Sequence, residues 1–169
     1  MSNPRNFENL RFANSFPTPQ KPLRAVTIGG NSFGLKPFDL GEKLNYKAEC
    51  TWLTDNTLPY KKGTQVGIFL HRLPEKETTG AVSILIKCAF SISGSVFGKV
   101  TGATQKEITV PAGKKQYERI LTEARFPAPH DLDCGSIVLF EVQRNGPEKA
   151  PGLIVASEFS YESVSLGGR

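Results

Sequence analysis

The chain has 169 residues, 38% of them hydrophobic and 22% charged, with a formal net charge of +5. That is one ordinary domain's worth of sequence, long enough to build a core without staples. Collagenous, wholly disordered and membrane-helix readings are excluded. No stretch approaches the ~18 uninterrupted apolar residues of a spanning helix, the longest candidate being broken by Lys87 and its serines. Met1-Ser2-Asn3-Pro4-Arg5 lacks the apolar core of a secretory signal, so export is not expected.

The charge excess sits at one end. Residues 1–24 hold Arg5, Arg11, Lys21 and Arg24 against Glu8, whereas the remainder carries 17 basic and 15 acidic groups. Four separated charges are too few for counterion-release binding, so nucleic acid is not an expected partner. In the same segment Pro4, Pro17, Pro19 and Pro22 forbid a long helix, yet Phe7, Leu10, Phe12 and Phe16 are apolar. Burying four side chains does not by itself offset the backbone entropy of ordering the segment. It therefore reads as an extended docking arm, residues 1–24, that needs a partner surface or extra main-chain hydrogen bonds. Residues 25–169 form the body.

From Ala25 the hydrophobic period is two. Gly29-Gly30-Asn31-Ser32-Phe33-Gly34 reads as a loop, since it lacks the spacing, the Lys-Ser/Thr pair and the helix of a phosphate site. Leu44–Leu53 aligns Leu44, Tyr46, Ala48, Cys50 and Trp52 on one face, and Thr64–His71 forms the next strand, with His71 at its end as polar surface. Val82, Ile84, Ile86, Cys88, Phe90 and Ile92 alternate with smaller or polar residues, the clearest strand in the chain. Lys106–Val110, Tyr117–Phe126 (Ile120, Ala124 and Phe126 inward), Ser136–Arg144 (Val138, Phe140 and Val142 inward) and Leu153–Tyr161 follow. In the last, Leu153, Val155, Phe159 and Tyr161 are expected on one side. About seven or eight half-buried strands with no amphipathic helix predict an all-β antiparallel β-sandwich, wired as a Greek key or jelly roll.

Chemistry-bearing constellations are sparse. Cys50, Cys88 and Cys134 are odd in number without a CxxC pair, which points to reduced thiols and not a disulfide framework. Cys88 falls on the inward face of its strand, where a thiol is packed and inert. His130, Asp131 and Asp133 lie on one Pro-bounded loop and read as a turn, because aspartates bond their own backbone two residues on. Cys134 with His130 lacks a third orienting group. No catalytic residues, metal site or cofactor are assigned. For a lectin-like role the available rings are Trp52, Tyr46, Tyr60 and Tyr117. Tyr60, between Pro59 and Lys61-Lys62, is the ring expected to be exposed and is the candidate glycan contact.

The second half carries a further pattern: Ile108-Thr109-Val110-Pro111-Ala112-Gly113, Phe126-Pro127-Ala128-Pro129, Asp131-Leu132-Asp133-Cys134-Gly135, the apolar strand Ile137–Gln143 closing on Arg144-Asn145-Gly146, and Phe159-Ser160-Tyr161-Glu162. Over roughly residues 80–162 this resembles the small β-sandwich virion structural proteins of tailed bacteriophages. It departs from them at Pro147-Glu148-Lys149-Ala150-Pro151, where they carry an aspartate-rich segment. The resemblance implies a non-enzymatic head decoration or cement protein, assembled in the host cytoplasm into the virion. It also implies homo-oligomerisation, with a trimer expected. Arg5, Phe7, Leu10, Arg11, Phe12 and Phe16 would dock the arm on the major capsid protein or another virion protein. The alternative is a lectin-like or receptor-binding tail module that binds carbohydrate.

Overall fold

Every element of the computed structural model, which describes residues 24–38, 43–50, 60–94, 101–110, 112–145 and 152–162, is a β-strand. The strands are β1 (Arg24–Ile28), β2 (Asn31–Phe38), β3 (Lys43–Glu49), β4 (Gln65–Pro74), β5 (Val82–Ser91), β6 (Thr101–Val110), β7 (Ile120–Pro127), β8 (Ile137–Asn145) and β9 (Gly152–Tyr161). They form a five-stranded sheet, order β1-β2-β9-β4-β7, and a four-stranded sheet, order β3-β8-β5-β6. All pairings are antiparallel. From β2 to β5 and again from β6 to β9, each successive strand crosses to the other sheet, the wiring of an antiparallel β-sandwich.

The core follows from parity. Ile84, Ile86, Cys88 and Phe90 of β5 meet Val138, Phe140 and Val142 of β8 and Leu44, Tyr46 and Ala48 of β3, all buried. The other sheet supplies Val66, Ile68 and Leu70 of β4, Ile120, Ala124 and Phe126 of β7, and Phe159 and Tyr161 of β9. Phe140 joins the layers, its ring 6.1 Å from Phe126 and 6.1 Å from Phe159. Truncating such a ring typically costs about 3–5 kcal/mol.

Three strand expectations are corrected. The 29–34 segment is a loop only at Gly29-Gly30, whose φ values of 56° and 81° make a two-residue hairpin turn; Asn31–Gly34 already belongs to β2. Arg24 starts β1 opposite Leu35 and so belongs to the sheet and not to the arm. In β9 the alternation breaks: Ile154 is buried and Val155 is 48% exposed. The cause is a β-bulge, because His71 pairs with Ala156 while Arg72 pairs with Ile154, leaving Val155 unopposed.

Candidate functional site

The outer face of the five-stranded sheet carries the site. On the Gly67 side of the bulge, Gly67, Phe69 and His71 of β4 point away from the core, as do Leu121, Glu123 and Arg125 of β7 and Ala156, Glu158 and Ser160 of β9. One row across the sheet therefore reads Ala156–His71–Leu121 and the next Glu158–Phe69–Glu123. Where the bulge turns Val155 outward, the surface dips into an open concavity of about 410 Å³ lined by His71, Leu73, Arg119, Val155, Ala156 and Glu158.

Its floor is a hydrogen-bonded line. Arg119 donates Nε–H and Nη2–H to Nδ1 of His71, at 3.1 and 2.9 Å. A nitrogen that accepts from a guanidinium carries no proton, so the ring's proton is on Nε2, which donates to Glu158 Oε2 at 3.0 Å. His71 is buried and held from both sides, whereas Arg119 is exposed.

Arg119 is positioned by the turn that precedes β7. Tyr117, at φ 57°, donates its N–H to the carbonyl of Pro74 at 2.8 Å, and Gln116 Nε2 donates to the carbonyl of Glu75 at 2.9 Å. Glu118 accepts from Lys114 Nζ at 2.8 Å and from the Lys115 N–H at 2.9 Å; these bonds hold its carboxyl below the ordinary value. Thr78 ties the same turn to the β4–β5 connection, its hydroxyl accepting the Lys114 N–H at 2.8 Å. The end of β4 and the start of β7 are thus one fixed unit, and Arg119 projects from it.

The residues singled out in the sequence fall elsewhere. Tyr60 is corrected: it is 7% exposed, packed edge-on against Tyr161 at 6.1 Å, and burial pushes its pKa up. Lys61 donates its N–H to the Glu162 carbonyl, which draws the chain down beside β9 and turns the ring inward. Tyr46 is also buried, and Trp52 lies outside the described residues. So do Arg5, Phe7, Leu10, Arg11, Phe12 and Phe16. His71 is not a strand-end residue as expected but sits within a longer β4, at the bulge.

The aspartate loop is a turn: Ser136 Oγ donates to Asp133 Oδ1 at 2.7 Å, and the Ser136 N–H donates to the Asp133 carbonyl at 3.1 Å. The His130 ring instead covers Gly63, where a Cβ would come within 2.4 Å of its Cε1. Among the described residues no three His, Cys, Asp or Glu side chains gather to hold a metal ion. Burial pushes the Cys50 thiol up to about 12, with the Asp133 and Cys134 charges adding to it, and burial also raises Cys88. Neither is a poised thiolate.

A second concavity, of about 330 Å³, lies on the four-stranded sheet beside Asn45, Lys87, Leu139 and Glu141. Its charges satisfy one another, Glu141 Oε1 lying 3.2 Å from Lys87 Nζ and 3.4 Å from Lys43 Nζ.

No protein-family model matches this sequence, and no curated protein matches it. Among solved structures, the chain is similar to TmCBM61 in complex with β-1,4-galactotriose (TM-score 0.41, 14% identity, covering 90% of this chain and 91% of that one). It is similar to a family 16 carbohydrate binding module-2 (TM-score 0.40, 10% identity, 85% and 88%). It is also similar to the CBM22-1 xylan-binding domain from Paenibacillus barcinonensis Xyn10C (TM-score 0.33, 12% identity, 89% and 86%).

Proposed function

We propose that this chain is a non-catalytic β-sandwich that binds carbohydrate on the outer face of its five-stranded sheet. The observation that carries this reading is the His71-centred concavity. Its size and its mixture of apolar lining with a few convergent polar groups suit a sugar unit. A pyranose presents C–H faces and a rim of hydroxyls. Leu73, Val155 and Leu121 offer apolar contact, while Arg119 donates and Glu158 accepts. The polar groups are held by one another and need little ordering on binding, which favours affinity. Affinity electrophoresis of the full chain through gels containing neutral and acidic polysaccharides tests the reading. Retardation by at least one polysaccharide, lost in Glu158→Ala and His71→Ala variants that keep their melting temperature, is expected. Unaltered mobility throughout overturns it.

One observation favours a second reading, the virion structural role that the resemblance implies. Among the described residues the exposed large hydrophobics are Phe33 at 46%, Leu121 at 55% and Val155 at 48%, and all three belong to the outer side of this sheet. Such a face also suits a protein partner. Light scattering tests it: an oligomer dissolved by Leu121→Asp with Val155→Asp supports docking, and a monomer at high concentration counts against the expected trimer.

A further inference from the structure

Arg119 differs from the other charged groups around the concavity. Glu118 is held by Lys114, Glu123 pairs with Arg125, and Glu158 accepts from His71. Among the described residues no carboxylate lies within ion-pair distance of Arg119, whose guanidinium is bonded only to the neutral imidazole of His71. That contact consumes the Nε–H and one Nη2–H. The edge formed by Nη1 and the second Nη2–H faces away from His71, with its donors parallel and its charge unneutralised. A fork of this kind matches the two oxygens of a carboxylate. Glu158 lies on the far side of the imidazole from Arg119, its Oε2 accepting the Nε2–H.

We infer that the carbohydrate bound in this concavity is acidic, a uronic-acid glycan whose carboxylate is gripped by the free edge of Arg119 while a neighbouring hydroxyl donates to Glu158. The inference rests on the carbohydrate reading above and adds the ligand's charge. No covalent step is involved.

The test is affinity electrophoresis of the full chain against matched pairs: polygalacturonate and its methyl ester, alginate and its carboxyl-reduced form, with a neutral galactan and a sulfated galactan alongside. Retardation by the free acids, weakened about tenfold or more on esterification or reduction, is expected. Arg119→Lys keeps the charge but loses the fork, and it is expected to weaken binding about tenfold. Lys87→Met, on the opposite sheet, should bind as the parent does. Circular dichroism and melting temperature confirm that each variant is folded. Equal binding to the ester or to the neutral galactan overturns the acid specificity and leaves the carbohydrate reading standing. Equal binding to the sulfated galactan overturns carboxylate recognition in favour of charge alone. No retardation by any polysaccharide overturns both.

Discussion

Arg119 sets two N–H groups on one nitrogen of His71, Nε at 3.1 Å and Nη2 at 2.9 Å from Nδ1. The pair fixes the tautomer, because the nitrogen that accepts cannot also donate. Ring proton and arginine therefore sit on opposite sides of the imidazole, and Glu158 receives the proton's hydrogen bond. Long-range proton–nitrogen correlation spectra should assign the neutral ring as the Nε2–H form. In Arg119→Ala the Glu158 bond alone holds the proton, and a smaller excess of the Nε2–H form is expected. A dominant Nδ1–H form in the parent protein would show that Glu158 does not orient the ring.

Gly67 is a second position where geometry leaves no choice. It lies on the outer face beside Ser160 of β9 and Arg125 of β7, under the Arg125 side chain. A Cβ there would stand 2.6 Å from Ser160 Oγ and 2.9 Å from the carbonyl oxygen of Ala124. The serine can rotate, but the backbone of β7 cannot retreat without breaking its pairing with β4. Gly67→Ala should therefore destabilise by about 1–3 kcal/mol, the usual cost of overpacking. Urea denaturation measures it, and a loss below about 0.5 kcal/mol would mean that the sheet edge yields.

The two sheets were legible because burial on one face imposes parity. Ile84, Ile86, Cys88 and Phe90 are spaced as a strand and point inward as a strand. The site was not legible, and the reason is the bulge. Whether Val155 continues the alternation of β9 depends on how β9 pairs with β4, and nothing local to Leu153–Tyr161 encodes the extra residue. His71 becomes informative only once β9 brings Glu158, and the turn before β7 brings Arg119, to its two nitrogens. Arg119 and Glu158 are separated from His71 by 48 and 87 positions. Tyr60 misled for the opposite reason: its neighbours Lys61 and Lys62 are solvated, but the ring is claimed by Tyr161 from the other end of the chain.

Tyr46 tests the polar bookkeeping of the core. Its hydroxyl is buried with no hydrogen-bond partner among the described residues, and burial pushes its pKa up. A buried hydroxyl without a partner carries a desolvation cost of about 1–3 kcal/mol, while the ring itself contributes favourably. Tyr46→Phe keeps the ring and removes the cost. Equal or higher stability, by up to about 1 kcal/mol, is expected. A loss larger than that in chemical denaturation would mean that the hydroxyl has a partner.

Glu141 gives the acid side of the stability profile. Burial alone would raise its pKa, but the hydrogen bond and charge of Lys87 and the charge of Lys43 outweigh it and hold the carboxyl below its ordinary value of 4.5. A carboxyl lowered in the folded state stabilises it fully above the unfolded value, and the contribution is lost as pH falls through the folded one. Because both lysines are about half exposed, the effect is modest, at most about 1 kcal/mol. Glu141→Gln should therefore melt below the parent protein at pH 7. The gap should close as pH is lowered from about 4.5 through the range in which the parent carboxylate takes up its proton. A gap of constant size from pH 7 to pH 3 would assign the loss to packing and not to the charge that Lys43 and Lys87 share across β3, β8 and β5.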